Sequence, residues 1–293
     1  MPLSDLYPYP VRQITLSNGS QLSYMDEGRG SQTLLFIHGL GNYAPVWTQN
    51  MAALKDDFRV IALDLPGNGL SPINGTVAYS MRFFAHSVID FIRRLELKNV
   101  CLCGHSMGGQ IAITALLEEP GCAAKLALIA PAGFELFSVT DRLLLLQGMN
   151  FMGWLASDEQ QLRQALESSF YKTNPVAGKI AHELARIMSL RQKGGAYKQM
   201  LQQCIAAMLD EPVLDRLKEI RQPVLIVFGE EDALIPNRLL HRGTTRQLAM
   251  AAAKAFTNAR LFMIKDAGHF VQWEKAKAVN ELLRDFLVEN SGS

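Results

Sequence analysis

This chain of 293 residues has no large excess of positive or negative charge, no long uninterrupted hydrophobic run and no paired cysteine motif. Its 29 basic and 28 acidic residues nearly cancel, so its overall field would not attract nucleic acid or an anionic membrane. The most apolar long stretch, residues 136–156, is interrupted by Asp141, Arg142, Gln147 and Asn150. A membrane-spanning helix needs about 20 nearly uninterrupted apolar residues. We therefore expect no nucleic-acid partner and no stable membrane insertion.

The four cysteines show no paired CxxC spacing, which argues against a zinc site. Cys101 and Cys103 alternate within one apolar run, a pattern that suits buried and reduced thiols. The first residues, MPLSDLYPYPVRQ, lack the basic start and apolar run of a signal peptide. These features predict a reducing, cytoplasmic setting.

Short apolar runs alternate with longer amphipathic stretches along most of the chain. Residues 14–28 predict a hairpin whose turn is Asn18-Gly19. Buried strands are predicted at residues 33–39, 59–67, 100–106, 125–133, 223–232 and 260–269. Helices are predicted at residues 80–97, from 107 to Pro120, and at 273–289. This rhythm predicts an α/β fold with a mostly parallel sheet flanked by helices.

The alternation stops between Gly133 and Pro223, where the sequence contains no convincing strand. This segment is far too long for a plain connection, and its patterns are typical of several helices. We predict a helical cap over residues 135–217, inserted into a core domain made of residues 1–134 and 218–293.

The stretch GHSMGG, residues 104–109, ends a predicted strand and begins a predicted helix. A sharp strand-to-helix turn strains its corner residue and leaves little room for neighbouring side chains, which favours glycine beside it. The corner residue, Ser106, would project at the carboxyl end of the sheet, where ligands bind in open α/β sheets. The N–H of Met107 at the helix start could bind a developing oxyanion. A turn without chemistry is the plainer alternative, but the strand–turn–helix context favours a nucleophile.

A serine hydroxyl needs a base to remove its proton and an acid to orient that base. His269 follows the last predicted strand, which places it at the same end of the sheet as Ser106. Asp232 ends another strand, although Glu230 and Glu231 beside it remain alternatives on position alone. Surface or structural roles are predicted for His86, His105, His182, His241, Asp64 and Asp266.

With these residues in place, the chain resembles the α/β-hydrolase fold superfamily. The order Ser106, Asp232, His269 matches the nucleophile–acid–histidine order of that fold. Similar motifs are HGLG at 38–41, DLPGNGLS at 64–71, GEEDALIP at 229–236 and GHFVQWE at 268–274. The similarity covers roughly residues 13–289. It implies an eight-stranded, mostly parallel sheet with the helical insertion at the usual lid position.

The resemblance assigns Asp232, rather than its glutamate neighbours, as the acid. It also implies that the Leu40 N–H joins Met107 in the oxyanion hole, and that His38 braces this loop. The implied chemistry is hydrolysis through an acyl-enzyme, with no metal or organic cofactor. The predicted substrate-binding residues are Gly39, Trp47, Phe134, Phe151, Trp154 and Phe270. Ordinary packing between cap and core is the alternative for the aromatic side chains among them.

The leading function is cleavage of a small-molecule carboxylic ester with an apolar acyl part. Hydrolysis of a carbon–carbon bond in ring-cleavage products is the first alternative. Enzymes of that kind usually have Asn before the nucleophile and often Trp after the histidine, where this chain has His105 and Phe270. Arg191 in the cap could bind a carboxylate or lie in solvent.

Three more functions are compatible with the same residues. They are cofactor-free haloperoxidase or perhydrolase activity, a lipase that acts at interfaces, and a receptor-like protein that binds its ligand with little turnover. The sequence does not distinguish a monomer from a homodimer, and it does not identify the natural substrate.

Overall fold

The computed structural model describes residues 3–148, 159–172, 178, 181–183, 185–187 and 195–289. Its centre is an eight-stranded sheet in the order β1-β2-β4-β3-β5-β6-β7-β8. The strands are β1 Val11–Thr15, β2 Gln21–Glu27, β3 Thr33–Ile37, β4 Arg59–Leu63, β5 Val100–His105, β6 Lys125–Ile129, β7 Val224–Gly229 and β8 Ala259–Ile264. Strands β3 to β8 pair in parallel, whereas β2 pairs antiparallel with both β1 and β4. This confirms the predicted α/β fold.

The antiparallel edge begins with the predicted hairpin. Gly19 has a φ of 80°, in the left-handed region that glycine adopts without strain. Asn18 Oδ1 accepts a hydrogen bond of 2.9 Å from the Ser20 N–H. The turn therefore sets the register that pairs Thr15 with Gln21 and Val11 with Met25.

The central strands are continuously apolar because both of their faces are covered. Every residue of β3, β5, β6 and β7 is buried, as parallel sheets with helices on both sides require. Strand β8 differs from the prediction, since its residues alternate between partly buried and exposed. It is the edge strand of the sheet, so it has a neighbouring strand on one side only.

Helices follow the strands as the alternation predicts. They are α1 Thr48–Leu54, α2 Met81–Arg94, α3 Met107–Glu118, α4 Val139–Gly148, α5 Glu159–Glu167, α6 Ala196–Asp210, α7 Thr245–Ala255, α8 Val271–Glu274 and α9 Ala276–Val288. Ser80 caps α2 by accepting a hydrogen bond of 2.9 Å from Phe83 N–H, and α3 ends before Pro120. The predicted last helix is two helices, α8 and α9.

Between Gly133 and Pro223, the described residues form α4, α5, α6 and a short 3₁₀ helix, Leu214–Glu219. Residues 178, 181–183 and 185–187 are also helical, and the described part of this segment contains no strand. The division into a core and a cap at residues 135–217 stays a prediction. Among the residues that the structure describes, no helix is both long and apolar enough to cross a bilayer.

Candidate active site

Ser106 lies at the corner between β5 and α3, with a φ of 54° and a ψ of −121°. Its N–H donates to Ile129 O at 3.1 Å, and its carbonyl accepts from the Ala132 N–H at 3.0 Å. A Cβ added to Gly108 would lie 2.3 Å from the backbone oxygen of Ile37. Hydrogen bonds and close packing therefore hold a backbone conformation that is unfavourable by itself.

His269 and Asp232 form a buried pair at the same end of the sheet. His269 Nδ1 lies 2.8 Å from Asp232 Oδ2, and the two residues are 2% and 0% exposed. The other carboxylate oxygen accepts N–H bonds from Leu234 at 2.8 Å and Ile235 at 3.0 Å. The backbone thus fixes the carboxylate, and the carboxylate fixes the imidazole. The ring is left with Nε2 as the nitrogen available to a proton donor.

Ser106 and His269 line one cavity, which Leu40 and Phe270 also border. In the described structure, Ser106 Oγ makes no hydrogen bond to the imidazole, a bond that often forms only when substrate is bound. The remaining wall is mainly apolar, and its apolar side chains are Ala132, Phe137, Leu145, Ile205, Met208, Leu209, Leu234 and Ile235.

The loop after β3 lies against the serine. A Cβ on Gly39 would be only 3.0 Å from Ser106 Cβ, so glycine allows this close approach. His38 is fully buried, and its Nε2 accepts a hydrogen bond of 3.0 Å from Leu65 N–H. Its Nδ1 therefore carries the proton and donates to Gly39 O at 2.8 Å.

The hydrogen bond from His38 Nδ1 to the Gly39 carbonyl also orients a backbone donor. The Gly39 carbonyl and the Leu40 N–H belong to one planar peptide group, so holding the oxygen also holds the N–H. Burial lowers the pKa of His38 to about 4, which keeps its ring neutral. Within the described residues, neither the Leu40 N–H nor the Met107 N–H has a hydrogen-bond partner. Their roles in an oxyanion hole stay predictions.

His105 supports the loop that carries His269, residues 265–270 between β8 and α8, which we call the histidine loop. Its ring is fully buried, and its Nε2 lies 2.9 Å from the carbonyl oxygen of His269. A carbonyl only accepts, so Nε2 carries the proton. Burial is the first cause that lowers the pKa of His105 well below its usual value, and the nearby His269 adds to this. A neutral His105 therefore positions the backbone of His269.

Glu274, at the end of α8, also holds this loop. Its two carboxylate oxygens accept N–H bonds of 2.8 Å from Gly268 and from Tyr171. The His269 N–H donates to Ser169 O at 2.9 Å. Residues from the predicted cap are therefore hydrogen-bonded directly to the loop that carries the histidine. Glu274 is the last residue of the GHFVQWE motif, but the sequence pattern predicts no role for it.

Glu135 is a second residue that sequence reasoning missed. It lines the cavity, and its side chain is only 10% exposed. Its Oε1 accepts a hydrogen bond of 2.7 Å from the Asn237 N–H and lies 3.5 Å from His241 Nε2. Burial raises the pKa of Glu135 to about 7. No local motif marks it, because it follows β6 in an irregular stretch.

Two of the predicted substrate-binding residues lie elsewhere, which corrects the prediction. Trp47 is 0% exposed and stacks on Phe36 with ring centroids 4.7 Å apart, so it belongs to the core. Phe134 is also buried and packs against Phe228 and Phe256. Phe270 does line the cavity, and Gly39 contacts Ser106 without being part of the lining. Phe151, Trp154 and Arg191 lie outside the described residues.

The alternative acids do not reach the imidazole. Glu230 pairs with Arg246, and Glu231 accepts a hydrogen bond of 3.1 Å from Ala267 N–H. Asp64 is buried and accepts hydrogen bonds from Tyr7 Oη at 2.5 Å and Ala44 N–H at 2.7 Å, which ties the chain start to the core. Within the described ranges, His, Cys, Asp and Glu side chains form no group of three suited to a metal ion.

Comparison with known proteins identifies the family. Residues 32–276 match the family model described as alpha/beta hydrolase fold. The chain belongs to this family. The sheet order, the turn at Ser106 and the buried Asp232–His269 pair agree with that membership, and the chain is a hydrolase.

Among curated relatives, the dihydrolipoyllysine-residue acetyltransferase component of the acetoin cleaving system from Cupriavidus necator is 30% identical over 92% of this chain and 67% of its own length. A 2-hydroxy-6-oxononadienedioate/2-hydroxy-6-oxononatrienedioate hydrolase from Paraburkholderia phymatum is 26% identical over 93% of each chain. A solved esterase from Exiguobacterium antarcticum superposes with a TM-score of 0.80 at 22% identity, covering 94% of this chain and 99% of its own. That structural likeness shows the shared fold.

Proposed function

We propose that this hydrolase cleaves small to medium carboxylic esters with an apolar acyl part through an acyl-enzyme on Ser106. The observation that carries the proposal is the buried 2.8 Å contact between His269 Nδ1 and Asp232 Oδ2, with the imidazole and Ser106 in one cavity wall. The largely apolar lining supports an apolar acyl group.

In the proposed reaction, His269 Nε2 takes the Ser106 proton while Oγ bonds to the ester carbonyl carbon. The Leu40 and Met107 N–H groups stabilise the resulting oxyanion. The carbon–oxygen bond to the alcohol then breaks, and the imidazolium gives its proton to the departing oxygen. Water, deprotonated by the same imidazole, attacks the acyl carbon. Cleavage of the Oγ–acyl bond releases the carboxylic acid and returns the proton to Ser106. Asp232 holds the imidazole in the required tautomer throughout.

A fluorophosphonate label followed by peptide mass analysis tests this proposal. The expected result is one adduct on Ser106 in the unaltered chain and none in Ser106→Ala. A burst of alcohol release from an activated ester would show the acyl-enzyme. A folded chain without label and without burst would contradict the proposal and favour the receptor-like alternative.

A second candidate is hydrolysis of a carbon–carbon bond. The name of the Paraburkholderia phymatum relative favours it, since that protein is named for a dienedioate substrate. Side-by-side kcat/KM values for a ring-cleavage dienoate and for a simple ester would decide between the two. A dienoate value at least tenfold above the ester value would make the carbon–carbon reaction the principal one.

The cytoplasmic setting and a small-molecule partner remain proposals as well. Fractionation of the source cells and a binding screen with small esters would test them. Size-exclusion chromatography with light scattering would distinguish a monomer from a homodimer.

A further inference from the structure

Glu135 is the acidic side chain in the described lining of the cavity, in a wall that is otherwise mainly apolar. It does not take part in the Ser106–His269–Asp232 machinery, and its Oε1 is already held by the Asn237 N–H at 2.7 Å. The remaining oxygen, Oε2, has no hydrogen-bond partner within the described residues. This oxygen is therefore free to interact with whatever fills the cavity.

Nothing in the described lining offsets the charge of this carboxylate. The lining contains no Lys or Arg side chain among the residues described. Gln110 also lines the cavity, but its amide nitrogen already donates to the carbonyls of Met208 at 3.1 Å and Glu211 at 2.8 Å. Its donors are thus used to join α3 to the end of α6. A substrate carboxylate in this space would meet an acid, with no Lys or Arg in the described lining to offset the repulsion.

A histidine, His241, also lies beside the carboxyl group. Its Nε2 lies 3.5 Å from Glu135 Oε1, and its side chain is 28% exposed. The His241 ring also packs edge-on against Phe137, with centroids 5.0 Å apart, and Phe137 is part of the lining. The Asn237 N–H and His241 therefore both approach Glu135 Oε1, which fixes the position of the carboxyl group.

We propose that Glu135 is a specificity-determining residue that excludes substrates carrying a carboxylate and favours neutral esters, above all those with a hydroxyl or amide hydrogen to donate to Oε2. The proposal rests on the ester hydrolysis proposed above and defines its substrate class. Two like charges in a poorly hydrated site repel strongly, while a neutral donor gains a hydrogen bond to a charged acceptor. Burial raises the pKa of Glu135 to about 7. Because pH 8 lies above this pKa, the carboxyl group is mostly ionised there.

The test compares esters that differ only by replacement of a methyl group with a carboxylate. On the acyl side the pair is methyl hexanoate and monomethyl adipate, and on the alcohol side it is butyl acetate and 4-acetoxybutanoate. The measured quantity is the neutral-to-anionic ratio of kcat/KM at pH 8. In at least one pair we expect this ratio to fall about tenfold or more in Glu135→Gln. Glu135→Asp, which keeps the charge, should retain most of the discrimination.

Glu219→Gln is the matched control, since it removes an acid that is paired with Arg216 at 2.8 Å on the surface and does not line the cavity. Its ratio should equal that of the unaltered chain. Ratios that stay within twofold for both ester pairs in Glu135→Gln would overturn the proposal. So would equal hydrolysis of neutral and anionic esters by the unaltered chain.

A binding measurement separates this proposal from the proposed reaction. In the Ser106→Ala background, calorimetry would compare the dissociation constants of the same esters with and without Glu135→Gln. Tighter binding of the neutral ester that depends on Glu135 supports the subsite even if no ester is turned over. If esters are hydrolysed but neither binding nor turnover depends on charge, the reaction stands and the role of Glu135 is rejected.

Discussion

The wall of the cavity at the strand ends, the sheet-side wall, and the wall on the side of the predicted cap differ in how their side chains are held. On the sheet side, Ser106 is 9% exposed and His269 is 2% exposed, and backbone hydrogen bonds fix both turns. On the side of the predicted cap, α4 contributes Leu145 to the lining, while Leu143 and Leu144 beside it are 54% and 56% exposed.

This difference suits the two walls to different roles, the placement of reacting atoms on one side and the selection of substrate on the other. The proposed proton transfer would require atoms placed to within about 0.5 Å, and the buried turns at the strand ends would supply that rigidity. Selection of a substrate depends on shape and charge, and we expect the lining side chains Phe137, Leu145 and Glu135 to contribute to both. Exposed apolar side chains on α4 add little to stability, so we expect substitutions at Leu143 and Leu144 to be tolerated.

The largest effect is expected from removing the nucleophile. Ser106→Ala should lower kcat for a simple ester by about 10⁵-fold or more. The free energy of unfolding should change little, because alanine keeps the backbone bonds of the turn. Steady-state kinetics with a chemical-denaturation curve would check both parts. Residual activity above one per cent would break the assignment of the nucleophile to the sheet-side wall.

Asp232→Asn should be the next most severe change. Asparagine keeps the shape but presents an amide to His269 Nδ1 or to the Leu234 and Ile235 N–H groups, which disturbs the imidazole tautomer. We expect kcat to fall by about 10³- to 10⁴-fold. Glu231→Gln is the matched control, because Glu231 bonds Ala267 instead of the imidazole. Equal losses in both variants would argue that loop stability, rather than the acid, is being measured.

A pH-dependent effect on stability is expected at Glu135. Its pKa is raised from 4.5 to about 7 by burial, so the folded chain holds this proton more tightly than the unfolded chain. The resulting stability is fully present below about pH 4.5 and is lost as the pH rises through 7. Glu135→Gln should therefore gain on the order of 3 kcal/mol relative to the unaltered chain between pH 5 and pH 8.

Urea denaturation at both pH values measures this difference directly. Comparing it with Glu219→Gln at the surface removes the general effect of losing one acid. A flat difference across this pH range would show that the carboxyl group is better hydrated than its 10% exposure suggests.

Crowding at the serine predicts a smaller kinetic effect. In Gly39→Ala the new Cβ would lie 3.0 Å from Ser106 Cβ and 3.2 Å from His105 Nδ1. The loop must shift by a few tenths of an ångström, which moves the Leu40 N–H. We expect kcat to fall about 10- to 100-fold with KM less affected. Gly75→Ala is the control, since a Cβ there meets nothing within 4 Å, and matching losses would contradict the oxyanion role.

The smallest effect should come from the exposed face of α4. Leu144→Ser removes an apolar side chain that is 56% exposed, so the free energy of unfolding should change by less than about 0.5 kcal/mol. Leu145→Ser, one residue further on, alters the cavity lining and should raise KM for apolar esters. Similar KM values for the two variants would remove the distinction between the two sides of this helix.

The positions of the three proposed catalytic residues could be predicted because each depends on local chain features. The glycines around Ser106 indicate a tight corner, and the motifs around Asp232 and His269 follow strands whose ends must share one edge of the sheet. Trp47 and Phe134 were predicted wrongly as substrate-binding residues, because an aromatic side chain near a motif packs equally well into the core. Glu274 and His105 act through the backbone of the histidine loop, and no spacing rule identifies such contacts.

The sequence by itself determined the strand–helix alternation, the sharp turn at Ser106 and the order of the three polar residues. These depend on backbone sterics and hydrophobic periodicity over a few neighbouring residues. Only the tertiary structure decided that Glu135 enters the cavity, that Trp47 stacks on Phe36, and that Ser169 holds the His269 backbone. The physical reason is that burial and charge pairing depend on which distant segments pack together, and such distances are not contained in any local pattern.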